Sequence, residues 1–192
     1  MTFFSGLGRA GTHGRNVADF TRIGKRLVVE HLVGANFGNM SMRTGKEGFL
    51  IKRTGAYLDD PGTPVFVPYL GFVSSEASSE YRVHREVYRL TPYYAIVHAH
   101  PPYAIAASLQ RDEIVPLDSE GRMFCPKIPV VDGEPGTDEL ARNVGAGLTQ
   151  APVVIARGHG TFAGGSDLDQ AYIYTSLAEH ACRVIAFAGY FR

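Results

Sequence analysis

Apolar residues recur at helical spacing over residues 16–33 (Val17, Phe20, Ile23, Leu27, Val28, Leu32), and Gly34 stands where a C-terminal glycine belongs. The pattern predicts an amphipathic helix ending at that glycine. A shorter period follows. Residues 34–43 read as a glycine turn feeding a strand, and residues 48–53 as a second strand paired with it across 44–47. The Asp60-Pro61-Gly62 loop then leads into an extended run at 64–69. Val83, Val87 and Leu90 stripe a helix that starts after Ser78-Ser79-Glu80, so a serine is expected to cap it, with Glu80 in its first turn. Residues 93–99 form an apolar strand closed by Pro101-Pro102, which cannot continue a central ladder. A short helix at 103–110, extended stretches at 113–117 and 127–132, and a helix at 138–148 capped by Thr137 come next. The β-branched run 152–157 predicts a further strand. Ser166 is expected to cap a last long helix, with Asp169 as its capping-box partner and Leu168, Tyr172, Leu177, Ala181 and Ile185 on its apolar face.

Strands and helices therefore alternate, without internal repeats or linkers, which predicts one α/β domain over 1–192. The 192 residues are 45% apolar and 20% charged, the balance of a soluble globular chain. Nineteen basic and nineteen acidic side chains cancel, so no electrostatic footprint for nucleic acid or an anionic membrane is expected, and an anionic ligand must be met by a local site. Cys125 and Cys182 form no paired motif, which excludes a zinc ribbon and fits structural thiols in a reducing, cytoplasmic setting. Residues 1–15 show no charged segment leading into an apolar run, and nothing later approaches the length of a membrane span.

Candidate chemistry sits at strand ends. His98 and His100, at i and i+2, leave the same face of one strand. His159 stands between Gly158 and Gly160 just past another. Together they offer three nitrogen donors, the ligand count of an open catalytic zinc rather than a closed structural one. Taken singly, each residue has a plainer reading: core, rim or turn histidines, a Glu80 that complements a helix dipole, serines that only cap. The same helix start, with free N–H groups and two hydroxyls, is also a ready anion site. His84, one turn after Glu80, is expected to support that carboxylate, whereas His13, His31 and His180 have no partner pattern. There is no His-Glu-x-x-His helix, no Asp-His continuation of His98-Ala99-His100, no Gly-x-Ser-x-Gly elbow and no Walker lysine loop.

Five short motifs in order, Gly38-Asn39-Met40-Ser41, Thr54-Gly55, Ser78-Ser79-Glu80 with Tyr81-Arg82-Val83-His84, His98-Ala99-His100-Pro101 and Gly158-His159-Gly160, resemble the class II aldolase and adducin family over most of the chain. The resemblance implies a three-layer α/β/α sandwich around a mixed sheet. It also implies a cyclic homotetramer with active sites at subunit boundaries. By motif, His98, His100 and His159 would hold one Zn2+ per subunit, and Glu80 would be the general acid/base. Asn39, Thr54, Gly55, Ser78 and Ser79 would cradle a phosphate. The implied reaction is cleavage of a small, fuculose-1-phosphate-like ketose 1-phosphate to dihydroxyacetone phosphate and an aldehyde, with charge passing into a metal-stabilised enediolate. Epimerase-like relatives carry Asp where this chain has Glu80, which favours an aldolase. The alternatives are another zinc lyase on the scaffold, such as a methylthioribulose-1-phosphate dehydratase or a decarboxylase, and a non-catalytic interaction domain of the adducin-head type. Family members that cleave fuculose phosphate place a tyrosine one short loop after the histidine pair. Here that loop reads Pro116-Leu117-Asp118-Ser119-Glu120-Gly121, and the tail ends at Gly189-Tyr190-Phe191-Arg192. Asp118, Glu120 and Tyr190 are therefore the candidates for the acid on the aldehyde side.

Overall fold

The computed structural model describes the backbone of residues 8–191 and the side chains of 17–190. Residues 1–7 and 192, with the side chains of His13 and Asn16, lie outside the described residues. In chain order the elements are α1 (Gly8–Val29), β1 (Asn39–Arg43), β2 (Gly48–Ile51), β3 (Val65–Pro68), α2 (Tyr81–Leu90), β4 (Ala95–Ala99), α3 (Pro102–Ser108), β5 (Glu113–Ile114), α4 (Ser119–Phe124), β6 (Ile128–Val131), α5 (Asp138–Leu148), β7 (Val153–Ala156), β8 (Gly160–Gly165) and α6 (Leu168–Ala188), followed by a single 3-10 turn, Gly189–Phe191.

The strands form one mixed sheet in the order β3-β2-β1-β4-β8-β7-β6-β5. Only β6 and β7 run parallel. Alternation along β4 assigns its two faces. Ile96 packs with Val83, Val87, Leu140 and Val144 of α2 and α5, while Ala95, Val97 and Ala99 pack with Phe20, Ile23 and Leu27 of α1 and with Leu168 of α6. A third cluster, under α3 and α6, joins Ala104, Ile114, Ile128, Val153 and Cys182. The result is the expected α/β/α sandwich, in which each fully buried large apolar side chain contributes roughly 1.5–3 kcal/mol. No helix among the described residues is long and apolar enough to cross a membrane.

Several expectations need correction. The first helix begins upstream of residue 16 and stops at Val29, five residues before Gly34. His31 closes it in the left-handed region (φ 57°), with Leu32 N–H bonded to Leu27 O and His31 N–H to Val28 O, the two bonds of a Schellman motif. Neither serine caps α2. Glu80 itself occupies the N-cap position and makes no capping bond. At α6 the cap is Asp167, which accepts from Gln170 N–H, and the Gln170 side chain accepts from Ser166 N–H in return. Asp169 instead pairs with Arg22 and Arg26 of α1. Tyr172, Leu177 and Ile185 only flank the buried face of α6, which is built from Leu168, Ala171, Thr175, Ala178, Ala181 and Cys182.

Two elements lie outside the predicted set. Asp118 caps the short helix α4 by accepting from Gly121 N–H. Strand β8, Gly160–Gly165, lies at the centre of the sheet despite its three glycines. Close approach explains them. A Cβ on Gly160 would come within 2.2 Å of Ala99 O, one on Gly164 within 2.2 Å of the Tyr93 ring, and one on Gly165 within 2.6 Å of Ala171 N.

Candidate active site

β1, β4 and β8 pair so that Asn39, His98 and Phe162 lie side by side. His98 thus sits in the middle of the sheet and is 1% exposed. Its Nδ1 donates to Thr161 O at 2.9 Å and its ring stacks on Phe162 at 4.0 Å, which leaves Nε2 as the bare nitrogen. His100 emerges just past β4, its backbone N–H anchored on Leu32 O and its ring stacked against Phe37. The tight turn between β7 and β8 carries Gly158 at φ 67° and closes with His159 N–H on Ala156 O, which swings His159 back over the end of β4.

The three rings converge. One ligand atom from each of His98, His100 and His159 lies within 4.8 Å of the others, and the Nε2 atoms of His98 and His100 are 3.1 Å apart. Burial holds all three below the ordinary histidine range. His98 falls well below it, with the neighbouring histidines as a further cause, and His100 falls to about 4, helped by His159 and Lys52. They are therefore neutral donors, and His159 Nδ1 is buried without a partner. Three neutral imidazoles facing one point fit a divalent cation with coordination positions to spare.

Glu80 lines the same hollow and is 6% exposed. Burial raises its pKa, opposed by the Gly136 N–H and by Arg82, and its Oε2 has no hydrogen-bond partner. The hollow, about 260 Å3, is also walled by Asn39, Thr54, Gly55, Ser78 and Ser79. All nine site residues expected from the motifs are thus brought to one cavity. A larger hollow of about 820 Å3, lined in part by Glu30, His31, Glu179 and His180, lies elsewhere, and no such convergence of metal donors occurs there among the described residues.

The remaining candidates do not line this cavity. The His84 backbone N–H reaches Glu80 O at 3.3 Å, but its ring makes no direct bond to the Glu80 carboxylate, and its Nδ1 lies 2.6 Å from Ser41 Oγ. Asp118 is committed to capping α4, and neither it nor Glu120 nor Tyr190 lines the cavity within this chain. Motif reading also missed Asn36, Phe37 and Lys52. Lys52 is 2% exposed, and its Nζ donates to Asn36 O at 2.8 Å and Ala56 O at 2.6 Å. Desolvation, with no carboxylate partner, lowers its pKa to about 8. The signal for it was there to see, a single lysine following the apolar run Phe49-Leu50-Ile51 just ahead of Thr54-Gly55.

Comparison with known proteins matches residues 18–186 to the Class II Aldolase and Adducin N-terminal domain. The chain belongs to the class II aldolase and adducin family. An L-fuculose phosphate aldolase of Methanococcus maripaludis strain C5 is 29% identical over 174 residues, covering 88% of this chain and 94% of that one. The crystal structure of l-fuculose-1-phosphate aldolase from Thermus thermophilus superposes with a TM-score of 0.89 at 34% identity, over 93% of this chain and 96% of that one. YgbL from Klebsiella pneumoniae, named as an aldolase, epimerase or decarboxylase, follows with a TM-score of 0.84 at 27% identity, over 92% and 91%. The class II aldolase fold and the convergent histidine triad thus coincide in one chain.

Proposed function

We propose that this chain is a metal-dependent aldehyde-lyase that cleaves a small ketose 1-phosphate of the fuculose type to dihydroxyacetone phosphate and an aldehyde. The observation that carries this reading is the meeting of three neutral imidazoles and one buried, half-unpartnered carboxylate in a cavity whose remaining wall includes hydroxyls, the Asn39 amide and Lys52. The names of the aldolase relatives support it.

His98, His100 and His159 would hold the divalent cation, read here as zinc. When bound, it supplies electrostatic stabilisation for negative charge reaching the substrate C2 and C3 oxygens as the C3–C4 bond breaks. Asn39, Thr54, Gly55, Ser78 and Ser79 bind the phosphate through neutral donors, and Lys52 adds a cation to the cavity wall. As the C4 hydroxyl gives up its proton, the C3–C4 electron pair stays with the phosphate-bearing fragment. Glu80, kept protonated more readily by burial, donates its proton to C3, so the products are dihydroxyacetone phosphate and the free aldehyde. Phe37, stacked on His100, lines the histidine side of the cavity.

The base for the C4 hydroxyl comes, in this proposal, from a neighbouring subunit of a homotetramer. Of the candidates, Asp118 is spent on its cap, while Glu120 is exposed beside the exposed apolar Met123 and Phe124 of α4. A second reading, another lyase on the same scaffold, is favoured by the absence of tyrosine from 116–121 and by the likeness to YgbL.

The test offers fuculose, ribulose and methylthioribulose 1-phosphates to zinc-loaded protein, with dihydroxyacetone phosphate followed through NADH oxidation by a coupled reductase. Release from at least the fuculose substrate is expected. Turnover that yields no dihydroxyacetone phosphate from any of them assigns the second reading.

A further inference from the structure

Behind the cavity, between α2 and the sheet, lies a buried polar row that no step above uses. Ser41 Oγ is 2.6 Å from His84 Nδ1 and 2.7 Å from Tyr88 Oη, and Ser41 and His84 are fully buried, with Tyr88 3% exposed. The direction of these two bonds follows from proton counting. Among the described residues Ser41 is the sole hydrogen-bond partner of the Tyr88 hydroxyl, so a buried O–H stays satisfied only if Tyr88 donates to Ser41. Ser41 has a single proton, and the remaining neighbour that can accept it is His84 Nδ1. Burial depresses the His84 pKa to about 3, so the imidazole is neutral and carries one proton. With Nδ1 accepting, that proton is on Nε2.

His84 Nε2 is itself buried without a partner, and so are Glu80 Oε2 and Asn39 Oδ1. Hydrogen bonds between β1 and α2 set the two elements in step. Arg43 reaches the carbonyls of Tyr88 and Thr91, Ser41 meets His84 and Tyr88, and Asn39, two residues back on the same face of β1, continues that progression toward the start of α2. His84 stands one turn after Glu80 on the same face of α2, and helical side chains tilt toward the N-terminus. Asn39 and Glu80 line one cavity. A single water accepts one proton and donates two. The orphans are one donor and two acceptors, the set one buried water satisfies.

We infer that Tyr88, Ser41 and His84 form a one-way hydrogen-bond chain that ends, through one buried water, on Glu80 Oε2 and Asn39 Oδ1. With Gly136 N–H on the carboxylate from another side, the chain makes His84 a positioning residue for Glu80. That the positioned carboxylate is the acid/base rests on the function proposed above, whereas the chain itself does not.

The test is read on resting protein. With 15N-labelled histidine rings at neutral pH, His84 is expected in the Nε2–H form. Tyr88→Phe removes the terminal donor and introduces the Nδ1–H form, and Glu80→Gln moves the His84 Nε2 resonance. With L-fuculose 1-phosphate, Tyr88→Phe lowers kcat on the order of tenfold with KM held within about twofold. A proton on Nδ1 in the unaltered protein, or an Nε2 signal indifferent to Glu80→Gln, overturns the chain. Should Tyr88→Phe fail to fold, the unaltered protein and Glu80→Gln still decide. Full turnover by Glu80→Gln with the Nε2 shift present removes the acid/base role and leaves the chain standing.

Discussion

The Nε2 atoms of His98 and His100 face one another across 3.1 Å. Because His98 Nδ1 donates to Thr161 O, its Nε2 carries a lone pair, and two such nitrogens so close need a proton or a cation between them. Protein exposed to zinc and dialysed should retain one zinc per chain by mass spectrometry, and His159→Ala should retain far less than one. Since burial holds His100 at about 4, protons should displace the metal toward pH 4 rather than near the ordinary histidine value of 6.5. Full metal content in His159→Ala would remove the triad as the ligand set.

Glu80 is buried and its Oε2 has no partner among the described residues, so a neutral amide of the same shape fits its place. Glu80→Gln should keep zinc content and melting temperature close to those of the parent while kcat falls by roughly 10²–10⁴. Steady-state kinetics beside metal analysis separates this from loss of the site.

Gly160 carries no unusual backbone angle, and its constraint is a neighbour. In Gly160→Ala the new methyl would meet Ala99 O at 2.2 Å and His100 Cδ2 at 3.1 Å, so β8 must move from β4 and His159 from His100. Urea denaturation should show a loss of about 2–4 kcal/mol, with weaker zinc retention. Parental stability would mean that the two strands slide apart at little cost.

Lys52 titrates in the folded protein near 8 and in the unfolded chain near 10.5. Between those values the unfolded chain binds more protons at Lys52, so the Lys52 contribution to stability should rise as pH climbs from 8 to 10.5, and the burden of the buried charge is fully present below 8. Because the buried thiols Cys125 and Cys182 act in the opposite direction in both proteins, the readout is the urea midpoint of the parent relative to Lys52→Met at each pH, which should rise across this range. The same variant should raise KM for a phosphorylated ketose about ten- to hundredfold, the equivalent of one charge-assisted hydrogen bond. Unchanged KM would remove Lys52 from the anion site.

Local chemistry was enough to read helices α2 and α5, the latter to its Thr137 cap, the β1–β2 hairpin, and the motif residues of the site, because apolar period, capping side chains and glycine turns act within a few residues of themselves. Their meeting in one cavity was foreseen through family likeness rather than through any local signal. What the chain read alone did not yield shares one cause, that the deciding partner is distant in sequence. Strand β8 looks like a loop until Ala99, Tyr93 and Ala171 are seen pressed against its glycines. His84 points by spacing to Glu80, but nothing local shows that Ser41, 43 residues away, meets its Nδ1. Lys52 looks like a strand-end lysine until Asn36 O and Ala56 O close over it. Burial and close approach are properties of pairs of surfaces, and only folding decides which surfaces meet.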